Sequence, residues 1–385
     1  LFGIFKNGAV MERGYDRLQV LEPADRAWTP GERLGAVVRP LLSWYSECAR
    51  TLPWREDPKP YRVWVSEIML QQTRVEAVKP YFERFMRELP AIRDLAEADE
   101  DKLMKLWEGL GYYSRIRNMK KAALILKEHW GGEMPGDYEE IRKLPGIGSY
   151  TAGAIASIAF GIPAPAVDGN VLRVVARITG SREDIGKQSV KTGVERLVAG
   201  VIPRERCGDF KPGRSSSWGA LVCIPGGAPR CGECPAASVC VARRDGLTEE
   251  LPVKAKKKPR RAEERTVCLV ECENRVAIRK RDEGGLLASL YEFPNLEGRL
   301  TAQEAAVALG LDAGTIGTCE PLPASVHVFS HVEWHMGGYR FRIGTGGPKG
   351  YLMADKNEIF DTYSVPEAFR AYKRLIFEEI GKVET

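Results

Sequence analysis

The apolar residues in the first two thirds of the chain recur three and four positions apart, with polar residues between them. This spacing places the apolar side chains on one face of a helix. Val37, Val38, Leu41, Leu42 and Tyr45 show it clearly. It predicts further helices over residues 61–73, 94–107, 114–130, 138–143, 149–160 and 181–204. We therefore expect residues 31–244 to be mostly helical.

The last third of the chain has a different pattern. Residues 267–272 and 275–281 are short runs rich in Val, Ile and Leu, separated by two residues, and they predict two strands joined by a tight turn. Between the two regions, residues 245–265 are rich in Lys, Arg and Pro without apolar periodicity, which is typical of a basic linker. We expect a second, α+β domain over residues 266–385.

Two glycines separate the predicted helices 138–143 and 149–160. The turn reads Leu144-Pro145-Gly146-Ile147-Gly148. Glycine adopts backbone conformations that a side chain would forbid, and the exposed N–H groups of a helix start favour an anion. Such a turn suits a phosphate held without reading a base. An ordinary corner between two helices is the alternative.

Two carboxylates stand out by their surroundings. Glu67 lies within a largely apolar predicted helix, where burial of an unpaired carboxylate would raise its pKa. Its alternative role is structural, paired with an Arg or a backbone N–H. Asp168 directly precedes Gly169-Asn170, so it is either a plain helix N-cap or a carboxylate held beside the glycine turn.

The nine cysteines are unevenly placed. Five are scattered, and an odd total argues against a disulfide framework and for thiolate metal ligands. The clustered four are Cys223, Cys231, Cys234 and Cys240. Their spacing alone suits either zinc or an iron–sulfur cluster.

The overall composition excludes few functions. The 385 residues are 44% hydrophobic and 28% charged, as in globular proteins of two or three domains. The net charge of +5 permits a nucleic-acid partner without requiring one. Because no apolar run reaches 18 residues, we expect no membrane span. Residues 1–30 lack periodicity and are expected either to form a poorly ordered extension or to represent translation upstream of a start at Met11.

Two motifs together resemble a known family. Leu-Pro-Gly-x-Gly-x-Tyr-Thr-Ala-Gly-Ala at residues 144–154, followed by Ala-Val-Asp-Gly-Asn-Val at 166–171, resembles the helix-hairpin-helix DNA glycosylases, specifically adenine DNA glycosylases of the MutY kind. The resemblance covers roughly residues 31–373. It implies a six-helix barrel with the hairpin over about 60–185 and a cluster domain from 31–59 plus 186–244. It also implies a bacterial cytosolic or nucleoid location and a monomer.

The resemblance implies a substrate and catalytic roles. The enzyme would hydrolyse the N-glycosidic bond of adenine opposite 8-oxoguanine or guanine in double-stranded DNA, with Glu67 as the acid and Asp168 as the ionised carboxylate. Tyr150 and Asn170 would orient the nucleotide and the water. Apolar surroundings would keep the Glu67 carboxyl group protonated, whereas the Asp168 carboxylate would stay charged at a helix start. The implied DNA contacts are Trp54, Arg55, Gln72, Leu110, Tyr112, Gly146, Gly148, Phe329, Ser330 and His331.

The resemblance also implies a [4Fe–4S] cluster on the four cysteines. The family spacing is Cys-x6-Cys-x2-Cys-x5-Cys, whereas the first interval here has seven residues. The C-terminal domain resembles a Nudix domain but lacks the Arg-Glu-x-x-Glu-Glu magnesium ligands, so we expect it to bind 8-oxoguanine without hydrolysis. His327, His331 and His335 lie close together, but two of them match the DNA-reading loop, which disfavours a metal site there.

One segment departs from the family. Residues 211–218 read Lys-Pro-Gly-Arg-Ser-Ser-Ser-Trp, poor helix formers where the family has a helix that reaches the adenine pocket. Two alternative functions stay open. One is an endonuclease III-like glycosylase/lyase, which would carry a Lys in place of Tyr150 as an amine nucleophile. The other is a non-catalytic iron–sulfur DNA-binding protein.

Overall fold

The structure is a computed structural model that describes residues 28–48, 51–210, 218–255 and 259–383, with side chains to residue 376. The expectation for residues 1–30 lies almost entirely outside the described residues, as does that for 211–218 apart from Trp218. Within the described ranges, no helix is long and apolar enough to cross a membrane.

Thirteen helices form the first two thirds of the described chain. They are α1 Pro30–Cys48, α2 Pro53–Glu56, α3 Pro60–Met69, α4 Val75–Glu88, α5 Ile92–Glu97, α6 Glu100–Trp107, α7 Ser114–His129, α8 Tyr138–Lys143, α9 Ser149–Ala159, α10 Gly169–Thr179, α11 Gln188–Ala199, α12 Cys207–Phe210 and α13 Val241–Arg244. A π-helical turn, Trp218–Val222, follows α12. The predicted helix 138–143 is confirmed to the residue, and that over 149–160 ends one residue early.

Three helix predictions were wrong in extent. The single helix over 94–107 is two, because the Asp99 carboxylate accepts from the N–H groups of Asp101 and Lys102 and caps a new helix. The helix over 61–73 ends at Met69, since Gln72 has a φ of 60°. Of residues 181–204, only Gln188–Ala199 form a continuous helix.

The helical region has two hydrophobic cores. The first is built mainly by α3–α9 and includes Trp64, Phe85 and Trp107, each fully buried. In the second, apolar residues of α10, such as Val171 and Val175, pack with α1 and α11. The expected barrel over 60–185 is therefore too long, because the apolar face of α10 belongs to the second core. Conversely, Leu52 and Trp54 from the expected cluster domain lie in the first.

The C-terminal domain is a sheet flanked by helices, as expected for an α+β domain. Its strands are β1 Arg261–Cys272, β2 Arg275–Lys280, β3 Tyr291–Glu292, β4 Asn295–Glu297, β5 Ile316–Val328, β6 Val332–Ile343 and β7 Leu352–Asp355. Its helices are α14 Ala302–Ala308, α15 Lys356–Asp361 and α16 Arg370–Val383. The strands run β3-β2-β1-β6-β5, with β4 on β1 and β7 on β2.

The predicted linker over 245–265 is too long. Its residues 261–265 form the start of β1, pairing in parallel with 332–336 of β6. Main-chain hydrogen bonding therefore orders a polar segment that its composition assigns to a tether. The two-residue turn between β1 and β2 is as predicted, with Glu273 at a φ of 52°.

Candidate functional site

The turn between α8 and α9 depends on one of its two glycines. Gly146 has a φ of 75°, and a Cβ there would lie 2.6 Å from Asn118 Cβ. Gly148 has an ordinary φ of −87° and open space around its Cα, so our expectation that both glycines are conformationally required was wrong. Both are exposed, which leaves the start of α9 accessible. The turn therefore offers main-chain N–H groups at the start of an 11-residue helix.

Glu67 lies in the last turn of α3, which packs against α9. The hydroxyl of Tyr150, in the first turn of α9, donates a hydrogen bond to the Glu67 carboxylate. Glu67 is half-buried although residues 63–66, 68 and 69 are buried, so it is the part of this stretch that reaches solvent. The phenol of Tyr150 is thus one partner of the Glu67 carboxylate.

Asp168 is the N-cap of α10, as one reading of the sequence predicted. Its Oδ1 accepts from the N–H groups of Asn170 and Val171 at 2.9 and 2.8 Å. Its Oδ2 accepts from the Asn170 side-chain amide at 3.1 Å. The positive end of the α10 dipole also favours a negative charge here. Asp168 is therefore surrounded by groups that stabilise a carboxylate anion.

Tyr150 lies near both carboxylates. Burial raises its pKa well above the ordinary value, and the charges of Glu67 and Asp168 raise it further. A close helix–chain contact holds this arrangement, because a Cβ at Gly153 of α9 would lie 2.1 Å from the carbonyl oxygen of Pro165. The glycine thus lets the segment leading to Asp168 pass directly over α9. The structure brings Glu67, Tyr150, Asp168 and Asn170 into one site.

A buried arginine joins this site to the segment that contains the cysteines. Arg173 Nη2 donates to Asn170 Oδ1 at 3.0 Å and to the Gly219 carbonyl at 2.7 Å. Its Nε donates to the Cys223 carbonyl at 3.0 Å. Arg173 therefore fixes Asn170, and through it Asp168, against the π-helical turn and Cys223.

The four clustered cysteines are free thiols that lie near one another. Burial, and to a lesser degree the thiols of Cys223 and Cys240, raise the pKa of Cys234 to about 11, opposed by the Trp218 N–H. Arg177 Nη1 donates to Cys223 Sγ at 3.3 Å, and Trp218 Nε1 to Cys234 Sγ at 3.4 Å. N–H donors aimed at sulfur, with arginine charge beside them, suit thiolates bound to a metal cluster.

The four clustered donors are all thiols, which suit either zinc or an iron–sulfur cluster. No group of three or more His, Cys, Asp or Glu among the described residues is placed to hold a metal ion. His327, His331 and His335 form no such group either.

Three predicted DNA contacts from two domains meet at one point. The Tyr112 hydroxyl donates to Gln72 Oε1 at 2.7 Å and lies 3.0 Å from Ser330 Oγ. Gln72, Tyr112 and Ser330 are all exposed. They adjoin a cavity of about 480 Å³ between the domains, lined by residues 109–114, 117, 285–287, 327–331 and 366–368.

Two predicted contacts are buried instead. Trp54 is 6% exposed and packs edge-on against Phe82 with ring centroids 5.3 Å apart, so its face is not free to stack on a base. Leu110 is also 6% exposed, within the first core, whereas Tyr112 is 48% exposed. Leu110 is thus not exposed for the DNA contact that the resemblance implies, because its loop turns this side chain inward and Tyr112 outward. Arg55 stacks on Tyr45 at 5.7 Å.

The loop between β5 and β6 has one anchored and two open residues. Phe329 is half-buried and packs edge-on against Trp334 at 5.0 Å and His327 at 4.5 Å. Ser330 and His331 are exposed. Burial lowers the pKa of His327, with Glu367 opposing it. The aromatic anchor thus holds the loop while its tip stays free for contact.

Two buried arginines, Arg115 and Arg173, were missed by sequence reasoning. Each is less than 10% exposed and binds backbone carbonyls of other segments. The available signal was a charged residue on an otherwise apolar helical face, as in Asn-Val-Leu-Arg-Val-Val at 170–175. That pattern did not reveal which segments they join.

Two family models match the chain. One, described as HhH-GPD superfamily base excision DNA repair protein, matches residues 65–199, which include both carboxylates and the glycine turn. The other, described as NUDIX domain, matches residues 266–375. The helical and C-terminal domains therefore have the fold classes expected from the sequence.

Known proteins match across both regions. The adenine DNA glycosylase of Homo sapiens is 35% identical over 355 residues, covering 76% of this chain and 64% of the human protein. That of Mus musculus is 36% identical, covering 76% of this chain and 68% of its own. That of Buchnera aphidicola subsp. Acyrthosiphon pisum is 33% identical, covering 79% and 85%. This chain thus spans about two thirds of the mammalian proteins and most of the Buchnera one.

Proposed function

This chain belongs to the adenine DNA glycosylase family, and we propose that it hydrolyses the N-glycosidic bond of adenine mispaired with 8-oxoguanine or guanine in double-stranded DNA. The observation that carries the proposal is the grouping of Glu67, from the last turn of α3, with Tyr150 and Asp168, from the starts of α9 and α10. Cleavage of a glycosidic bond uses one carboxylic acid and one carboxylate on either side of that bond.

Glu67 is the acid of the proposed mechanism. It transfers a proton to N7 of an adenine that has been rotated out of the duplex, which makes the base a better leaving group. The Tyr150 hydroxyl fixes the orientation of the Glu67 carboxyl group. Because the pKa of Tyr150 is raised, its hydroxyl stays protonated and continues to donate at neutral pH.

Asp168 is the charge-stabilising group. As the C–N bond breaks, positive charge develops on the deoxyribose, and a fixed anion nearby stabilises that transition state. The two backbone N–H groups and the Asn170 amide hold the Asp168 oxygens in place, so little reorganisation accompanies the reaction. Asn170 is also placed to orient the nucleotide or the attacking water.

Tyr150 favours simple hydrolysis over strand cleavage. A glycosylase that also nicks DNA uses an amine to form a Schiff base with the sugar. A phenol with a raised pKa is no such nucleophile. The proposed products are therefore free adenine and an intact abasic strand.

The two domains have separate proposed contacts with DNA. The exposed α8–α9 turn holds a backbone phosphate through main-chain N–H groups. Gln72, Tyr112, Ser330 and His331, all exposed, read the base opposite the adenine, with Phe329 anchoring their loop. Because Ser330 and His331 come from the Nudix-like domain, that domain supplies two of these four contacts, and the helical domain supplies the other two.

We assign a [4Fe–4S] cluster to Cys223, Cys231, Cys234 and Cys240. Free thiols close together, with N–H groups directed at two of the sulfurs, support the assignment. When bound, the cluster links the four thiolates and so stabilises residues 223–240 as one unit. Arg173 joins this unit to Asn170, so the cluster supports the catalytic site without taking part in base removal.

One experiment tests the proposed function. A duplex with a single adenine opposite 8-oxoguanine is incubated with excess enzyme, and free adenine and abasic sites are measured over time. We expect stoichiometric adenine release, no strand cleavage before alkali treatment, and no complex trapped by borohydride. A second duplex carries an oxidised pyrimidine in place of the adenine. Release of that pyrimidine, with a complex trapped by borohydride, would favour the endonuclease III-like alternative, and binding to the adenine duplex without release would favour the non-catalytic one.

A further inference from the structure

Arg115 is a buried arginine whose hydrogen bonds go to backbone carbonyls. It lies in the first turn of α7 and is 9% exposed. Its guanidinium stacks over the rings of Trp107 at 5.3 Å and Tyr112 at 5.6 Å. Burial lowers its pKa to about 10, so it remains a cation at neutral pH. A charge this deep is stabilised here by carbonyl dipoles and aromatic rings.

The two ends of the guanidinium bind two different loops. Nη1 donates to the carbonyls of Ile68 at 2.7 Å and Gln71 at 2.8 Å, where α3 ends and the turn to Gln72 begins. The last carbonyls of a helix lack partners within the helix, and Arg115 supplies donors to them. Nη2 donates to the carbonyls of Leu110 at 2.8 Å and Gly111 at 3.0 Å, directly before Tyr112.

These two loops carry the exposed side chains of Gln72 and Tyr112. The Tyr112 hydroxyl donates a hydrogen bond to Gln72 Oε1 at 2.7 Å. Both have left-handed backbones, with φ values of 60° and 47°. Non-glycine residues rarely adopt this conformation unless the surrounding structure enforces it. Arg115 helps to enforce it in both loops, because its one rigid guanidinium binds the carbonyls of Gln71 and Gly111, the residues directly before Gln72 and Tyr112.

We propose that Arg115 is a positioning residue for recognition of the base opposite adenine: its guanidinium fixes the separation of Gln72 and Tyr112 without touching DNA. The inference rests on the proposed function, in which these two side chains read that base. It explains why an arginine is needed here. A planar guanidinium presents parallel donors to two loops at once, whereas the point charge of a lysine cannot span both.

The test compares Arg115→Lys with the wild-type chain. Single-turnover adenine release is measured with enzyme in excess over DNA, but below the concentration that saturates binding, on duplexes with 8-oxoguanine or guanine opposite adenine. We expect the preference for 8-oxoguanine to fall about tenfold, since small misplacements of contacting groups have effects of this size. Arg93→Lys is the matched control, because Arg93 also binds a carbonyl at a helix end, that of Gly131, and is expected to keep the preference.

A DNA-independent readout separates this inference from the proposed function. Hydrogen–deuterium exchange should rise in residues 70–73 and 109–113 of Arg115→Lys together, with the α8–α9 turn unchanged. Unchanged exchange in either loop, or an unchanged base preference, would overturn the inference. Adenine release by the wild-type chain without preference for 8-oxoguanine would overturn it as well, while leaving adenine excision intact.

A second variant tests whether Arg115 affects the base preference through the Gln72–Tyr112 pair. Tyr112→Phe removes the hydroxyl that binds Gln72 and keeps the ring over Arg115. If Arg115 acts through this pair, the double variant should lose no more preference than the more affected single variant. Additive losses would show that Arg115 acts elsewhere and would contradict the inference.

Discussion

The hydroxyl of Tyr150 donates a hydrogen bond to the carboxylate of Glu67. The two residues are 83 positions apart in the chain and come together because α3 packs against α9. Asp168 is close enough for its charge to raise the pKa of the same tyrosine. The proposed site of base removal is therefore defined by Tyr150 and the two carboxylates near it, one hydrogen-bonded to its hydroxyl and the other acting through its charge.

The α8–α9 turn gives a matched pair of glycine substitutions. Gly146→Ala should destabilise the protein by about 1–2 kcal/mol and weaken DNA binding, because its φ is 75° and the new methyl group would meet Asn118. Gly148→Ala, at a φ of −87° with open space, should cost less, at most about 1 kcal/mol, because Gly148 is the N-cap of α9, where alanine is less favourable than glycine. Urea unfolding and DNA titration of both variants check this. Equal effects would contradict the described turn.

Leu110 and Tyr112 should behave as a core residue and a surface residue. Leu110→Ala is expected to cost about 2–5 kcal/mol of stability, because it removes a buried side chain. Tyr112→Ala should cost about 1 kcal/mol or less but weaken binding to adenine:8-oxoguanine duplexes. Thermal unfolding and duplex affinity, measured on the same preparations, separate the two. A stable Leu110→Ala chain with impaired binding would contradict this assignment and would show that Leu110 contacts DNA.

Local chemistry predicted the elements best. The α8–α9 hairpin and the Asp168 cap follow from glycine and N-cap preferences that act within a few residues. The burial of Leu110 and Trp54 did not follow from local chemistry, since an apolar side chain in a loop or short helix can point inward or outward with similar local cost. Tertiary packing decided both. Arg115 was invisible for the same reason, because its partners are backbone carbonyls, which have no sequence signature.

If the four cysteines hold an iron–sulfur cluster, replacing one of them should reduce both the visible absorption of the protein and its rate of adenine release. Wild-type protein should contain about four iron atoms per chain and absorb broadly in the visible range. Cys234→Ser should lose both and slow adenine release, because the loosened segment frees Arg173 from Cys223 and Gly219. Iron analysis and the absorption spectrum, recorded with single-turnover rates, check this. Bound zinc in place of iron would refute the assignment.

The buried phenol of Tyr61 should make the folded protein less stable at alkaline pH. Burial, together with nearby Asp94, raises its pKa far above 10, and its hydroxyl donates to the Leu89 carbonyl at 3.0 Å. Because only the unfolded state ionises near pH 10, this contribution is complete below pH 10 and falls by about 1.4 kcal/mol by pH 11. Urea unfolding at pH 9 and 11 should show a smaller decline for Tyr61→Phe than for wild type. Equal declines in the free energy of unfolding would show that Tyr61 does not cause this loss of stability.

Glu67→Gln tests the central claim most directly, because it removes one transferable proton and keeps the side-chain shape. Wild-type and variant chains are compared for duplex binding and for single-turnover adenine release opposite 8-oxoguanine. We predict that binding is retained and that release falls by about 100-fold to 10,000-fold, the range for loss of a general acid. Release by Glu67→Gln at near the wild-type rate would contradict the role of Glu67 and, with it, the proposed mechanism.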